Sequence, residues 1–206
     1  MNTCLRKLSR SAALALSLLS GIFAAQAADA PRVGVRGAIT AIAGDSLMVH
    51  TNQGQDMLIN LTADTQVRGV TLAQVADIKP GSYVGSAALP QADGTFKALE
   101  VHVFPPEMAG TGEGHRAFDL TSGSTMTNGS VGDLVTTNGR TMTVKYNGGE
   151  KKIVIPDDVP VVNLVPGDRS LLKPGVKVVM FAQPGPDGSL TAGFISAGKD
   201  GVTPPM

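Results

Sequence analysis

The chain repeats itself. Arg36 to Phe104 and Ser130 to Gly198 can be laid on each other at an offset of 94 or 95 residues. Ser46-Leu47-Met48-Val49-His50 matches Thr141-Met142-Thr143-Val144-Lys145, and Asp56-Met57-Leu58-Ile59-Asn60-Leu61 matches Glu150-Lys151-Lys152-Ile153-Val154-Ile155. Lys79-Pro80-Gly81-Ser82-Tyr83-Val84 matches Lys173-Pro174-Gly175-Val176-Lys177-Val178, and Asp93-Gly94-Thr95-Phe96 matches Asp187-Gly188-Ser189-Leu190. Four co-linear matches at one offset argue for a duplication rather than chance likeness between two β-rich stretches. The period is too long for a solenoid repeat and suits two small domains.

Each half reads as short strands. Val35 to Ile42 ends at the Ala43-Gly44-Asp45 turn, and Leu47 to Thr51 follows up to Asn52-Gln53-Gly54. Met57, Ile59 and Leu61 then alternate with polar neighbours. Period-2 runs split by Gly, Asn and Asp clusters indicate β-hairpins. The second half uses the same device at Asn138-Gly139 and Asn147-Gly148-Gly149. Residues 63–78 form a longer excursion, where Leu72, Val75 and Ile78 have the spacing of one short helical turn. Five short strands per half must not leave long edges exposed, and closure achieves that. The expected fold is all-β: two tandem small OB-like five-stranded barrels, residues 34–104 and 128–198, joined by an ordered Gly-rich loop, 105–127. Residues 199–206 form a tail. A two-sheet sandwich spanning both halves is the alternative.

The pairing of Lys-Pro-Gly-x-x-Val with a following Asp-Gly-[Thr/Ser] hairpin resembles a bacterial exported small-β-barrel domain family of unknown function. The central Gly112-Glu113-Gly114-His115-Arg116 and the terminal Gly201-Val202-Thr203-Pro204-Pro205-Met206 are similar to a tandem-repeat proteobacterial subfamily of it. The resemblance implies export and an OB-like fold. It brings no catalytic residues, because its motifs are turn motifs. Some members carry transporter-like names, which the lack of an apolar span in this chain contradicts.

The first 27 residues read as a cleaved signal peptide. Arg6, Lys7 and Arg10 precede an apolar run from Ala12 to Phe23, and Ala25-Gln26-Ala27 offers the small residues that a signal peptidase reads. A run of roughly a dozen apolar residues is too short to cross a bilayer, which needs ~20. The expected address is the periplasm. Cys4, the only cysteine, lies inside the leader, so the mature chain has neither a disulfide nor a thiolate metal ligand. Three of the 17 basic residues and none of the 17 acidic ones leave with the leader, which gives a mature net charge of −3. A mildly acidic chain without a basic stripe is a poor phosphate-backbone binder, so no nucleic-acid partner is expected. Six Phe, two Tyr and no Trp also weigh against stacking-based capture of sugars or single strands.

Candidate chemistry concentrates between the halves. Residues 110–119 hold Glu113, His115, Arg116 and Asp119 among Gly110, Gly112 and Gly114. A loop this long in a compact chain is a linker or a functional segment. So many distinct charged types argue for an ordered loop, since pure spacers are Gly/Ser-rich. In the interdomain reading, His115 and Arg116 pin one barrel to the other.

In the metal reading, His115, Glu113 and Asp119 bind a divalent ion, with Glu107 as a further carboxylate. Zinc would need a second nitrogen from His50 or His102, and Met108 and Met126 would suit Cu(I). Gly residues beside Arg116 can also capture an anion. The segment is not a phosphate loop, because it lacks the Gly-Lys-[Ser/Thr] ending. A hydrolase would have to recruit Ser122 or Ser124 to His115, or pair Glu107 with Glu113. The expected role is a non-catalytic periplasmic binding or structural module for an unknown protein or small ligand. A metal-handling accessory protein comes second and a hydrolase third.

Overall fold

The computed structural model describes residues 31–135 and 140–206. The leader and the Asn138-Gly139 turn lie outside the described residues. The described chain is all-β. Its helical content there is three short 3-10 turns, at Val75–Asp77, Pro106–Met108 and Arg169–Leu171.

The chain begins as a meander: β1 (Val33–Ala43), β2 (Ser46–Thr51) and β3 (Asp56–Ala73). The turns between them place Gly44 and Gly54 at positive φ, which costs glycine nothing. The expected excursion over 63–78 is mostly not an excursion. The strand kinks at residues 62–65, where Thr65 Oγ1 accepts the Thr62 N–H and donates to the Ala192 carbonyl. It then runs on to Ala73 in one continuous strand of 18 residues, or about 60 Å of extended chain. The expected short helical turn is present as the 3-10 turn Val75–Asp77, with Ile78 buried just after it, while Leu72 belongs to the strand end and is 72% exposed.

The remaining strands are β4 (Tyr83–Pro90), β5 (Phe96–Ala98), β6 (Val101–Val103), β7 (Gly114–Ala117), β8 (Thr125–Val135), β9 (Thr141–Tyr146), β10 (Gly149–Val154), β11 (Val161–Pro166), β12 (Lys177–Pro184) and β13 (Leu190–Gly198). Strands β1, β2, β3, β13 and β12 close into a small barrel. Its pairs are antiparallel except β3 with β13, which is parallel. Inside lie Val35, Ile39, Leu47, Val49, Ile59, Met180 and Ile195 among others, all essentially inaccessible. Each is an inward member of a period-2 pattern, and burial of such a side chain stabilises by roughly 1.5–3 kcal/mol.

The pairing does not follow the two halves of the sequence. The barrel that begins with β1, β2 and β3 is completed by β12 and β13 from the far end of the chain. A second cycle links β4, β5, β10, β9 and β8, with β5 and β10 parallel. It encloses Val84, Ala98, Val144, Ile153 and Ile155. One barrel for 34–104 and another for 128–198 is therefore the wrong partition. Strand β3 spans both sets: past the kink Gln66 to Val70 still pair with β13, and Val67 lies in the first core, while Arg68 to Ala73 reach the other strands. Its distal half pairs antiparallel with β11, and β11 pairs with β6. A third apolar cluster sits at this seam: Val70, Tyr83, Phe104, Val162 and Leu164.

Candidate functional site

The central segment makes hydrogen bonds to strands and turns on both sides. Pro105, which cannot donate to a ladder, precedes the Pro106–Met108 turn. β7 then pairs antiparallel with β8, so residues 114–117 are an edge strand rather than a loop. Glu113 Oε1 accepts the backbone N–H of Asn147 at 2.8 Å, in the turn between β9 and β10. Asp119 takes a forked bond from Arg36 of β1 at 2.7 and 3.2 Å. The Arg36 guanidinium lies over Phe118 and Phe181 and donates through Nε to the Met206 carbonyl. The hydrogen bond from Arg36 holds the Asp119 carboxyl below its usual range.

His115 is half-buried. Its Nδ1 lies 2.8 Å from Thr127 Oγ1, and its ring stacks near Tyr146 and meets Phe96 edge-on. Burial, helped by the nearby Lys151 ammonium, lowers its pKa. Arg116 bonds the carbonyl of Gly112 in its own segment. The pins are thus Glu113 and Asp119, with His115 fastened to β8. Arg116 is not a pin as expected, because its donor stays within the segment.

The structure does not gather the expected metal ligands. Glu113 is committed to Asn147 and Asp119 to Arg36, on different sides of the segment. His50 pairs with Asp56 on an exposed hairpin. His102 is 3% exposed. Among the described residues, no three His, Cys, Asp or Glu side chains come together as metal ligands. Ser124 is buried, and its hydroxyl bonds the Phe118 and Thr121 carbonyls within a turn.

Another constellation gathers around His102, which the sequence offered only as a zinc ligand. A cleft of about 930 Å³ opens beside the seam. One wall comes from β3, β12 and β13 of the barrel, and the other from β6, β7, β8 and the Pro106–Met108 turn. At its base the register sets His102 of β6 opposite Gly85 of β4, and Gly85 opposite Asn128 of β8. Gly85 has no side chain, so the two flanking polar side chains lean over it. A Cβ there would overlap both His102 Nε2 and Asn128 Oδ1.

Buried bonds orient both groups. His102 Nδ1 lies 3.0 Å from Glu100 Oε2, and Glu100 Oε1 accepts the Ala87 N–H at 2.7 Å. Glu100 is 0% exposed. Asn128 Nδ2 donates to the Thr111 carbonyl at 3.1 Å, which turns its Oδ1 the other way. That oxygen is buried and has no partner among the described residues. Neither has Arg68 Nε, a buried donor in the opposite wall. Of the residues singled out in the sequence as principal candidates, only Arg116 lines this cleft. Glu100 and Asn128 carried no signal beyond being polar residues in strand-forming stretches.

The fold and this cleft describe an all-β protein with a closed five-strand barrel and a polar-floored groove beside it. Residues 36–102 are similar to a family known as a domain of unknown function (DUF5666). The matched stretch runs from β1 into β6, so it spans strands of both closed cycles. No curated protein and no solved structure matches the chain. No helix among the described residues is long and apolar enough to cross a membrane.

Proposed function

We propose that the protein is an exported, non-catalytic binding module whose cleft beside the seam takes a small ligand, with the central segment as the joint that holds the cleft's two walls in place. One observation carries this reading: Asn128 Oδ1 and Arg68 Nε are buried without partners among the described residues, in the walls of an open cleft. Buried polar atoms are almost always satisfied, and leaving one unmade costs about 1–3 kcal/mol. A cleft that holds a bare acceptor opposite a bare donor is arranged for something that enters it.

The joint reading draws on Glu113 and Asp119, which tie the segment to the second cycle and to the barrel. Duplication and an OB-like unit remain our reading of the halves. Matched turns support it: Gly81 and Gly175 have φ of 86° and 89°, and Gly94 and Gly188 have 83° and 80°. Asp93 and Asp187 cap the N–H of Thr95 and Ser189 in the same way. The pairing order also fits, since each cycle has three meander strands, a fifth strand parallel to the third and a fourth closing on the first.

A mixed fragment library followed by ¹H–¹⁵N correlation spectra tests the binding reading. Shifts should cluster at Gly85, His102, Thr111 and Asn128. A library that moves no cleft resonance removes it. Export is tested separately by sequencing the mature N-terminus, which should begin just after Ala27.

A further inference from the structure

The charges and bare atoms of the cleft define a chemical class of ligand. Three guanidinium side chains, Arg32, Arg68 and Arg116, line it with one carboxylate side chain, Glu107. Among the described residues none of the three arginines has a carboxylate within ion-pair distance; the arginines that do are Arg36, Arg140 and Arg169. The bonds they make inside the protein are to carbonyls: Arg116 to Gly112 and Arg68 NH1 to Val67 at 3.4 Å. Their positive charge is therefore without an ion-pair partner among the described residues; Arg32 and Arg116 stand exposed at the cleft mouth and Arg68 is part-buried in its wall.

The base has the opposite demand. Asn128 Oδ1 is an acceptor without a donor among the described residues. His102 Nε2 sits beside it above Gly85. With the proton of the Glu100–His102 bond on Nδ1, Nε2 is a second acceptor at the same point. The rest of the lining is apolar and soft: Phe104, Phe181, Phe194, Met108 and Met126.

We infer that the cleft binds a small apolar organic acid carrying an N–H or O–H donor near its carboxylate. The carboxylate meets Arg68 and Arg116. The donor bonds Asn128 Oδ1 and His102 Nε2 over Gly85. The apolar body lies on the Phe and Met walls. A guanidinium presents its N–H groups as a fork that a carboxylate fits. Glu107 in the same wall disfavours a dianionic head such as a phosphate monoester. The inference rests on the binding reading above and narrows it.

Calorimetric titration of the full mature chain tests it with four probes: 3-phenyllactate, 3-phenylpropionate, 3-phenyllactamide and phenyl phosphate. 3-Phenyllactate should bind best. Removing its hydroxyl or its charge should each weaken binding by about tenfold or more, since the protein group left behind is buried and unpaired. Arg68→Gln should weaken the acid by a similar factor and leave the amide unchanged, whereas Arg68→Lys should retain part of the affinity. Asn128→Leu should abolish the difference between 3-phenyllactate and 3-phenylpropionate. If either variant is unfolded, the ranking of the four probes on the wild-type chain still decides.

An amide that binds as tightly as the acid, a phosphate that binds more tightly, or no contribution from the hydroxyl overturns the class. If that happens while other fragments still perturb the cleft, the binding reading survives. If nothing perturbs the cleft, both fall.

Discussion

The strand pair at equivalent positions in the two halves shows where this molecule is symmetric and where it is not. At the offset of 94, Phe96 to Phe104 corresponds to Leu190 to Gly198. Inward positions agree: Ala98 with Ala192 and Val101 with Ile195, all fully buried in the two main apolar cores. Outward positions do not. Glu100, His102 and Phe104 stand where the later strand has Phe194, Ser196 and Gly198. The packing demands of a closed cycle hold the inward face to small and branched apolar residues. The outward face answers only to what it meets. On β6 it meets the seam, and that is where the buried carboxylate–imidazole pair and the base of the cleft have been built.

That contrast can be attacked first at the inward face. Ile59→Ala in the barrel and Ile153→Ala in the second cycle should each cost about 2–5 kcal/mol. Both cycles combine strands from both halves, so either substitution should move one common urea transition. A biphasic curve in which only one half responds would break the strand-exchanged picture.

At the outward face, Glu100→Ala strands the Ala87 N–H and the His102 ring in a dry site. It should cost about 3 kcal/mol, more than Phe194→Ala at the half-buried equivalent, which should cost about 2 kcal/mol. Equal losses in denaturant would mean that Glu100 is no more than packing.

The joint should matter less. Arg36→Gln should cost up to about 1 kcal/mol, as partly exposed ion pairs do. Because Arg36 lowers the Asp119 pKa from its ordinary 3.8, that stability is complete above 3.8 and is lost as pH falls through the folded value. The gap between wild type and Arg36→Gln in acid-titrated melts should therefore close in that window.

The smallest effect is at His115. Its pKa is lowered from 6.5, so its contribution is full above 6.5 and declines as pH falls below it. Solvent access keeps the change well under about 1 kcal/mol. Replacing His115 by Gln should flatten the slope of stability between 6.5 and the folded value. An unchanged slope would remove His115 from the acid response.

Much of the local architecture was legible in the letters. The turns at Gly44, Gly54, Gly81 and Gly94 sit where a positive φ is required, and the alternation of Met57, Ile59 and Leu61 reads directly as a strand. In residues 110–119, Glu113, His115 and Asp119 bond Asn147, Thr127 and Arg36. Their role was read less well. Charge density drew attention to that segment, yet its carboxylates are spent on Asn147 and Arg36, leaving Arg116 to face the cleft. His102 and Asn128 are 26 residues apart on different strands, and Gly85 lies on a third. Nothing in their spacing announces that the sheet register sets them in one row.

By itself the sequence determined an all-β chain of short strands, the places where it turns, and which face of each strand is apolar. These follow from single-residue φ preferences and a period of two, both local properties. Tertiary structure alone decided which strands share a core. Two similar halves offer every strand two nearly equivalent partners, and a hydrophobic pattern says that a face must be buried without saying against what. Strand β3 shows the outcome: it pairs with β2 and β13 in the barrel and, at its far end, with β11 outside it.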